Sequence, residues 1–291
     1  MKNIPEFTEA IEEWTHFFIP LADGVKLAAR AWLPMNATEQ PVPAILEYIP
    51  YRKRDGTAIR DEQMHPYWAA FGYACIRVDI RGSGESDGLL LDEYLQQELD
   101  DAVEVIDWLE NQDWCSGKVG MMGKSWGGFN CLQVAALRPS ALKAIITVCS
   151  TDDRYADDIH YRGGALLIEN FSWASTISGY MAKPPDPLLL PETWRENWLE
   201  RLQNMPIFAK NWLEHTYKDA YWKHGSINED YSAIKAAVYC VGGWGDAYSV
   251  AIPRMIQGLT GPKKALIGPW AHKYPNFASP KPEMDFLAEA K

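Results

Sequence analysis

The chain has 291 residues, 47% of them hydrophobic and 23% charged, with a formal net charge of −11. That length suits one sizeable domain carrying an insertion, or two small ones, and the acidic balance argues against nucleic acid or an anionic membrane surface as a partner. No run of about 18 apolar residues is present, so no membrane span is expected. The start of the chain carries Glu6, Glu9, Glu12 and Glu13 and lacks the basic, then apolar, form of a signal peptide, which makes the cytoplasm the expected compartment. Cys75, Cys115, Cys131, Cys149 and Cys240 are scattered without C-x-x-C spacing. They read as small buried apolar residues, so no disulfide, resident metal or cofactor is expected.

In chain order, residues 15–20 and 25–32 have strand character and meet at Asp23-Gly24, a hairpin turn signal. Residues 42–48 form a third strand candidate. Residues 68–71 look like the end of a short helix closed by Gly72, and 73–80 like a fourth strand. The loop 81–88 is rich in glycine and serine. It lacks the Lys-Ser/Thr ending of a phosphate-binding loop and reads as a structural turn. Residues 94–109 place Leu95, Leu99, Ala102, Val103, Ile106 and Leu109 on one helical face. A short apolar strand (118–122), a helix rich in Ala and Leu (129–137) and a strand (142–149) follow.

From 151 to 233 the alternation stops. This stretch holds Trp173, Trp194, Trp198, Trp212 and Trp222 and the break Pro184-Pro185-Asp186-Pro187, with a helix at 194–202. It reads as a helical insertion lying over the site. A strand (236–242), a helix interrupted by Pro253 (248–259) and a last strand (264–267) resume the pattern. Strands alternating with helices imply a mostly parallel sheet covered on both faces, with an antiparallel N-terminal edge. The organisation expected is a core in two parts, 1–150 and 236–291, interrupted by an insertion at 151–235.

Gly123-Lys124-Ser125-Trp126-Gly127 reads G-x-S-x-G between a strand and a helix, the nucleophile elbow of the α/β-hydrolase fold. The turn strains its central residue and brings the positions two residues away on either side together, where only glycine fits. An elbow serine needs a base, and the base an orienting acid; in this fold they follow in the order Ser, Asp or Glu, His. Between Asp230 and Glu283 the sole acidic residue is Asp246, and after His224 the sole histidine is His272. Each follows a strand. The roles expected are Ser125 as nucleophile, His272 as base and Asp246 as acid. The Trp126 amide is one oxyanion donor, and the second comes from the loop 49–55, which lacks an H-G-G-G form and so calls for a side-chain donor.

The turn Pro50-Tyr51, the loop Asp79-Ile80-Arg81-Gly82-Ser83-Gly84, and the segments 123–129, 242–246 and 268–272 together resemble the CocE/NonD hydrolases. These are the bacterial serine esterases and X-prolyl dipeptidyl peptidases of peptidase family S15. The resemblance implies that Ser125, Asp246 and His272 form the triad and that Tyr51 donates its phenolic hydroxyl beside the Trp126 amide. Family members continue past the histidine into a further helix and a jelly-roll domain, so the resemblance also implies that this chain is the catalytic part of a longer protein. The implied substrate is a small ester, an amide or a short peptide. Esterase or acylase, X-Pro dipeptidyl aminopeptidase and α-amino acid ester hydrolase all stay open. In relatives acting on α-amino esters, carboxylates following the 142–149 strand resemble an anchor for the substrate ammonium; here Asp157 or Asp158 would serve, or the run is a solvated acidic loop or a partner for Arg154 and Arg162. The competing readings are a hydrolase fold kept as a non-catalytic binding module, against which the complete Ser-Asp-His set argues, and an inactive truncated fragment. Homo-oligomerisation is left open.

Overall fold

The computed structural model describes residues 10–291, and the acidic stretch 1–9 lies outside the described residues. Strands β1 (Ile11–Pro20) and β2 (Lys26–Pro34) form the antiparallel pair read from Asp23-Gly24. Strands and helices then alternate: β3 (Val42–Ile49), α1 (Ala58–Ala69), β4 (Ala74–Asp79), α2 (Gln96–Glu110), β5 (Cys115–Lys124), α3 (Trp126–Leu137) and β6 (Leu142–Val148). The insertion comprises a hairpin, β7 (Tyr161–Arg162) and β8 (Ala165–Leu166), and helices α4 (Glu169–Met181), α5 (Trp194–Asn204), α6 (Ala209–Glu214) and α7 (Ala220–Lys223). The pattern resumes with β9 (Ala237–Gly243), α8 (Ala251–Gly258) and β10 (Lys263–Gly268), and α9 (Phe286–Glu289) lies near the end.

One sheet runs in the order β1-β2-β4-β3-β5-β6-β9-β10. The pairs from β4 through β10 are parallel, and β2 is antiparallel to both β1 and β4. This is the α/β-hydrolase fold with helical insertions. Every residue of β4 is buried, as a strand covered on both faces requires. One face packs Leu99, Ala102, Ile106 and Leu109 of α2 and nearly the whole of α3 against the sheet. The other face packs Trp32, Trp68, Met122, Tyr239 and Phe286 beneath α1 and the C-terminal segment. Among the described residues no helix is long and apolar enough to cross a membrane.

Several boundaries differ from the sequence reading for identifiable reasons. Helix α1 begins at Ala58, well before the 68–71 end that was readable, because Pro66 inside it hides the pattern. Helix α2 starts at Gln96 rather than 94, since Tyr94 takes φ 55° and Leu95 is the extended N-cap. Pro253 does not interrupt α8. It is the third residue of that helix, where its missing N–H has no intrahelical acceptor to lose. The β7–β8 hairpin has two residues per strand, too few to show a period.

The insertion is fastened by buried polar groups. Asp92 accepts hydrogen bonds from Asn211 Nδ2 (2.8 Å), Trp212 Nε1 (3.0 Å) and Tyr221 Oη (2.9 Å). The Arg154 guanidinium lies over the rings of Tyr94, Tyr221 and Trp222 and donates to the His224 carbonyl at 2.9 Å. Arg201 of α5 donates to the carbonyls of Gly84 (2.7 Å) and Ser86. The 81–88 loop is therefore structural. It is also anchored by Arg81, which bonds both Asp101 oxygens at 2.7 and 2.8 Å.

Candidate active site

Strand β5 ends at Lys124, and Ser125 turns the chain into α3 with φ 57° and ψ −121°. A non-glycine residue in this region is strained and must be held by its surroundings. Ser125 N donates to Val148 O (2.8 Å), and Ser125 O accepts from Phe129 N (3.0 Å). Glycine is a steric requirement here: a Cβ on Gly123 would lie 2.3 Å from the Gly127 carbonyl carbon, and one on Gly127 would lie 2.7 Å from Ile49 Cγ2. The result is a partly exposed Ser125 at the C-terminal edge of the sheet.

Asp246 and His272 lie on the loops after β9 and β10, and those loops touch. Trp244 N donates to Gly268 O (2.8 Å) and Gly245 N to Trp270 O (3.0 Å). A Cβ on Gly243 would sit 1.9 Å from Trp270 O, so glycine permits the approach. His272 Nδ1 and Asp246 Oδ1 are 2.9 Å apart. The Asp246 side chain is 1% exposed and that of His272 is 39% exposed. Burial alone would raise the Asp246 pKa, but the hydrogen bond and charge of His272 overcome it and hold the carboxyl below its usual range. Among the described residues His272 Nε2 has no partner, which leaves it for the cleft.

Ser125 and His272 line one cleft of about 380 Å³, together with Glu93, Asp158, Trp173 and Tyr248. That size suits a small organic ligand. Tyr51 approaches from the loop after β3, its ring edge-on to Trp126 with centroids 6.4 Å apart. Burial raises the Tyr51 phenol far above its usual range, with Glu93 and Tyr180 adding to the effect and the neighbouring Ser125 hydroxyl opposing it. Tyr51 therefore keeps its phenolic proton beside Ser125. The Trp126 amide opens α3, and its buried indole donates to Glu98 Oε1 at 2.5 Å. Burial pushes Glu98 up to about 7 against the bonds it receives from Trp126, Asn130 and Tyr94 N.

The two aspartates of the acidic run separate. Asp157 is taken by Arg162 (3.0 Å) and Arg254 (2.9 Å) and does not line the cleft. Arg154, the other cation considered for this run, instead serves backbone carbonyls and rings. Asp158 is buried and lines the cleft; its Oδ1 accepts from Ile159 N (2.7 Å) and Tyr248 Oη (2.8 Å). Burial raises its pKa, and nearby Glu93 adds to the rise while His160 opposes it.

Sequence reasoning missed Glu93, His160, Trp173 and Tyr248. Glu93 Oε2 lies 2.8 Å from His160 Nε2, and Glu93 Oε1 accepts from Trp173 Nε1. Burial would raise the Glu93 pKa, yet the charge and hydrogen bond of His160 hold it below its usual range. For His160 burial lowers the pKa, and Glu93 reverses that into a rise. His160 Nδ1 lies 3.1 Å from Asn170 Oδ1, so both ring nitrogens are engaged. No local motif links residues 67 positions apart, so this pair carries no signal in one sequence.

The sequence profile of the X-Pro dipeptidyl-peptidase (S15) family matches residues 23–274. The cocaine esterase of Rhodococcus sp. (strain MB1 Bresler) is 26% identical over 284 residues, covering 89% of this chain and 48% of its own length. The crystal structure of a CocE/NonD family hydrolase from Staphylococcus aureus superposes with a TM-score of 0.69 at 20% identity, covering 89% of this chain and 46% of its own. An α-amino acid ester hydrolase superposes with a TM-score of 0.62 at 22% identity, covering 93% and 50% respectively. At these identities the superpositions show the fold. The chain spans about half the length of these relatives.

Proposed function

Because the chain belongs to the X-Pro dipeptidyl-peptidase (S15) family and has the CocE/NonD hydrolase fold, we propose that it is a serine hydrolase that cleaves a small ester or amide through an acyl-enzyme on Ser125. The observation that carries this is the strained Ser125, which shares one cleft with a His272–Asp246 pair at 2.9 Å. Ser125 Oγ attacks the substrate carbonyl carbon while His272 Nε2 takes its proton. Asp246 fixes the tautomer and stabilises the imidazolium. The tetrahedral oxyanion accepts from the Trp126 amide and the Tyr51 hydroxyl, donors already oriented before charge develops. Collapse expels the alcohol or amine, which takes the proton from His272. Water, deprotonated by the same nitrogen, then attacks the acyl carbon and releases the acid. The test is fluorophosphonate labelling of the chain and of Ser125→Ala. Labelling is expected in the first and absent in the second, at equal thermal stability. A folded chain that never labels would favour the binding-module class.

A second reading concerns the substrate. Among the described residues Asp158 Oδ2 has no hydrogen-bond partner, and the residue lines the cleft. A carboxylate so placed would pair with an ammonium group removed from water, favouring an α-amino ester or a peptide N-terminus. The expected result is a kcat/KM for an amino ester at least tenfold above that of its N-acetyl form, with the preference lost in Asp158→Asn. Equal values for the two esters would remove this reading.

A further inference from the structure

Strand β6 runs into Cys149, a fully buried residue with φ 51°. Its Sγ lies 3.8 Å from Lys273 O and 4.0 Å from Ala271 O, directly behind the His272 loop. One ligand atom from each of Cys149, Asp246 and His272 falls within 4.8 Å of the others. Asp246 Oδ2, the oxygen not facing His272 Nδ1, is buried, and the Cys149 thiol lies beside this carboxylate. A thiol, a carboxylate and an imidazole are the donor set of a tetrahedral zinc-type site, where bond lengths of about 2.0–2.3 Å bring donors together at roughly this spacing. A second group, Glu47, Asp61 and His65, is as compact, but Arg60 already bonds both carboxylates and Arg77 faces them, so no donor is left for an ion.

We propose that Cys149, Asp246 and His272 form an inhibitory site for a thiophilic divalent cation, zinc or cadmium. The thiol proton passes to solvent as the sulfur ligates. The Nδ1 proton of His272 exchanges through solvent to Nε2, and the cation takes the freed Nδ1 lone pair in place of the contact with Asp246. The ring then carries its remaining proton on Nε2, and this nitrogen cannot accept the proton of Ser125. Lys124, whose Nζ donates to His272 O at 3.3 Å, is the nearby cation. It opposes the ion by repulsion, and because burial and the neighbouring Asp246 raise the pKa of the Cys149 thiol against the opposing charge of Lys124, the cation has to displace the thiol proton. Binding rests on geometry alone, whereas inhibition also rests on the acyl-transfer reading.

The test titrates the full chain with cadmium ion and follows the ultraviolet thiolate-to-cadmium absorption band. In parallel, fluorophosphonate labelling is measured with and without zinc ion. One equivalent of cadmium should raise the band, and Cys149→Ser should lose it. Zinc should slow labelling at least tenfold, reversibly with EDTA, while Cys149→Ser labels normally and keeps less than a third of that sensitivity. Should the serine variant fail to fold, His272→Gln at a partly exposed position replaces it and should weaken cadmium binding at least tenfold. Absence of the band, or equal zinc sensitivity in folded Cys149→Ser, overturns the site. A normal band in a chain that does not label at all upholds the site and counts against the acyl-transfer reading.

Discussion

The two walls of the cleft are built by different physics. On the sheet side, Ser125, Asp246 and His272 are placed by main-chain geometry: strand ends, backbone hydrogen bonds, and glycines at 123, 127 and 243 where a single Cβ would collide. On the insertion side, Asp158, His160 and Trp173 are placed by buried side-chain polar bonds to Glu93 and Tyr248, with Asp92 and Arg154 fastening the surrounding helices. A steric arrangement tolerates almost no change at a few positions and is indifferent elsewhere. A buried polar arrangement gives specificity of docking, but it fails as soon as one partner is withdrawn, because the remaining groups keep their desolvation cost.

The sharpest contrast should come from chemistry. Ser125→Ala should lower ester hydrolysis by roughly 10⁴-fold or more, and Asp246→Asn by a similar order through the wrong imidazole tautomer. Neither change should move the melting temperature by more than a few degrees, which a thermal scan beside the rate assay would check. Next in size is Gly123→Ala. Its methyl would lie 2.3 Å from the Gly127 backbone, so the elbow must open. A loss of roughly 2–4 kcal/mol in denaturant unfolding is expected, together with loss of fluorophosphonate labelling. Asp92→Ala attacks the other wall by leaving the donors of Asn211, Trp212 and Tyr221 unpaired. It should cost roughly 3 kcal/mol and appear as proteolytic nicking within 151–235, with labelling of Ser125 retained. Nicking spread evenly over the chain would show that the two walls unfold as one.

The smallest effect concerns pH. Burial pushes Glu98 up to about 7, while in the unfolded chain it titrates near about 4.3. The folded state therefore holds the extra proton, and the Glu98 contribution to stability falls as pH rises from about 4.3 to about 7. His16, lowered to about 4 by burial and by Lys53, acts in the opposite sense, adding stability as pH rises from about 4 to about 6.5. The difference between the chain and Glu98→Gln isolates the first of these. Their melting-temperature gap should shift steadily against the unsubstituted chain across that window, and a flat gap would refute the assignment.

Much of the sheet was legible because its strands carry short apolar runs, as in Ala74-Cys75-Ile76 of β4 and Ala144-Ile145-Ile146 of β6, and because turns announce themselves with glycine. Helix α1 was legible only at its end, since Pro66 breaks the expected pattern while the surrounding fold keeps the helix. Ser125, Asp246 and His272 could be picked out because a motif fixed the first and chain order left one candidate for each of the others. Tyr51 came from family resemblance alone. Glu93 and His160 were beyond reach, because a buried carboxyl–imidazole contact between distant segments leaves no period, spacing or turn signature. Asp157 and Asp158 are neighbours in an acidic run, and only their opposite facing in space separates a partner of Arg162 and Arg254 from a wall of the cleft.

Strand β10 lies at the edge of the sheet and pairs with β9 alone, with Gly268 opposite Gly243. His272 lies four residues beyond one of those glycines and Asp246 three beyond the other. The separation of base and acid is thus a reading on a scale whose gradations are the rungs of a single parallel ladder. A slip of one rung would carry the imidazole about 3.3 Å along the strand and turn the whole edge inside out. In the proposed reaction this edge strand would set the distance over which the proton moves, and substitutions far from the cleft that loosen the ladder should erode turnover before they unfold anything.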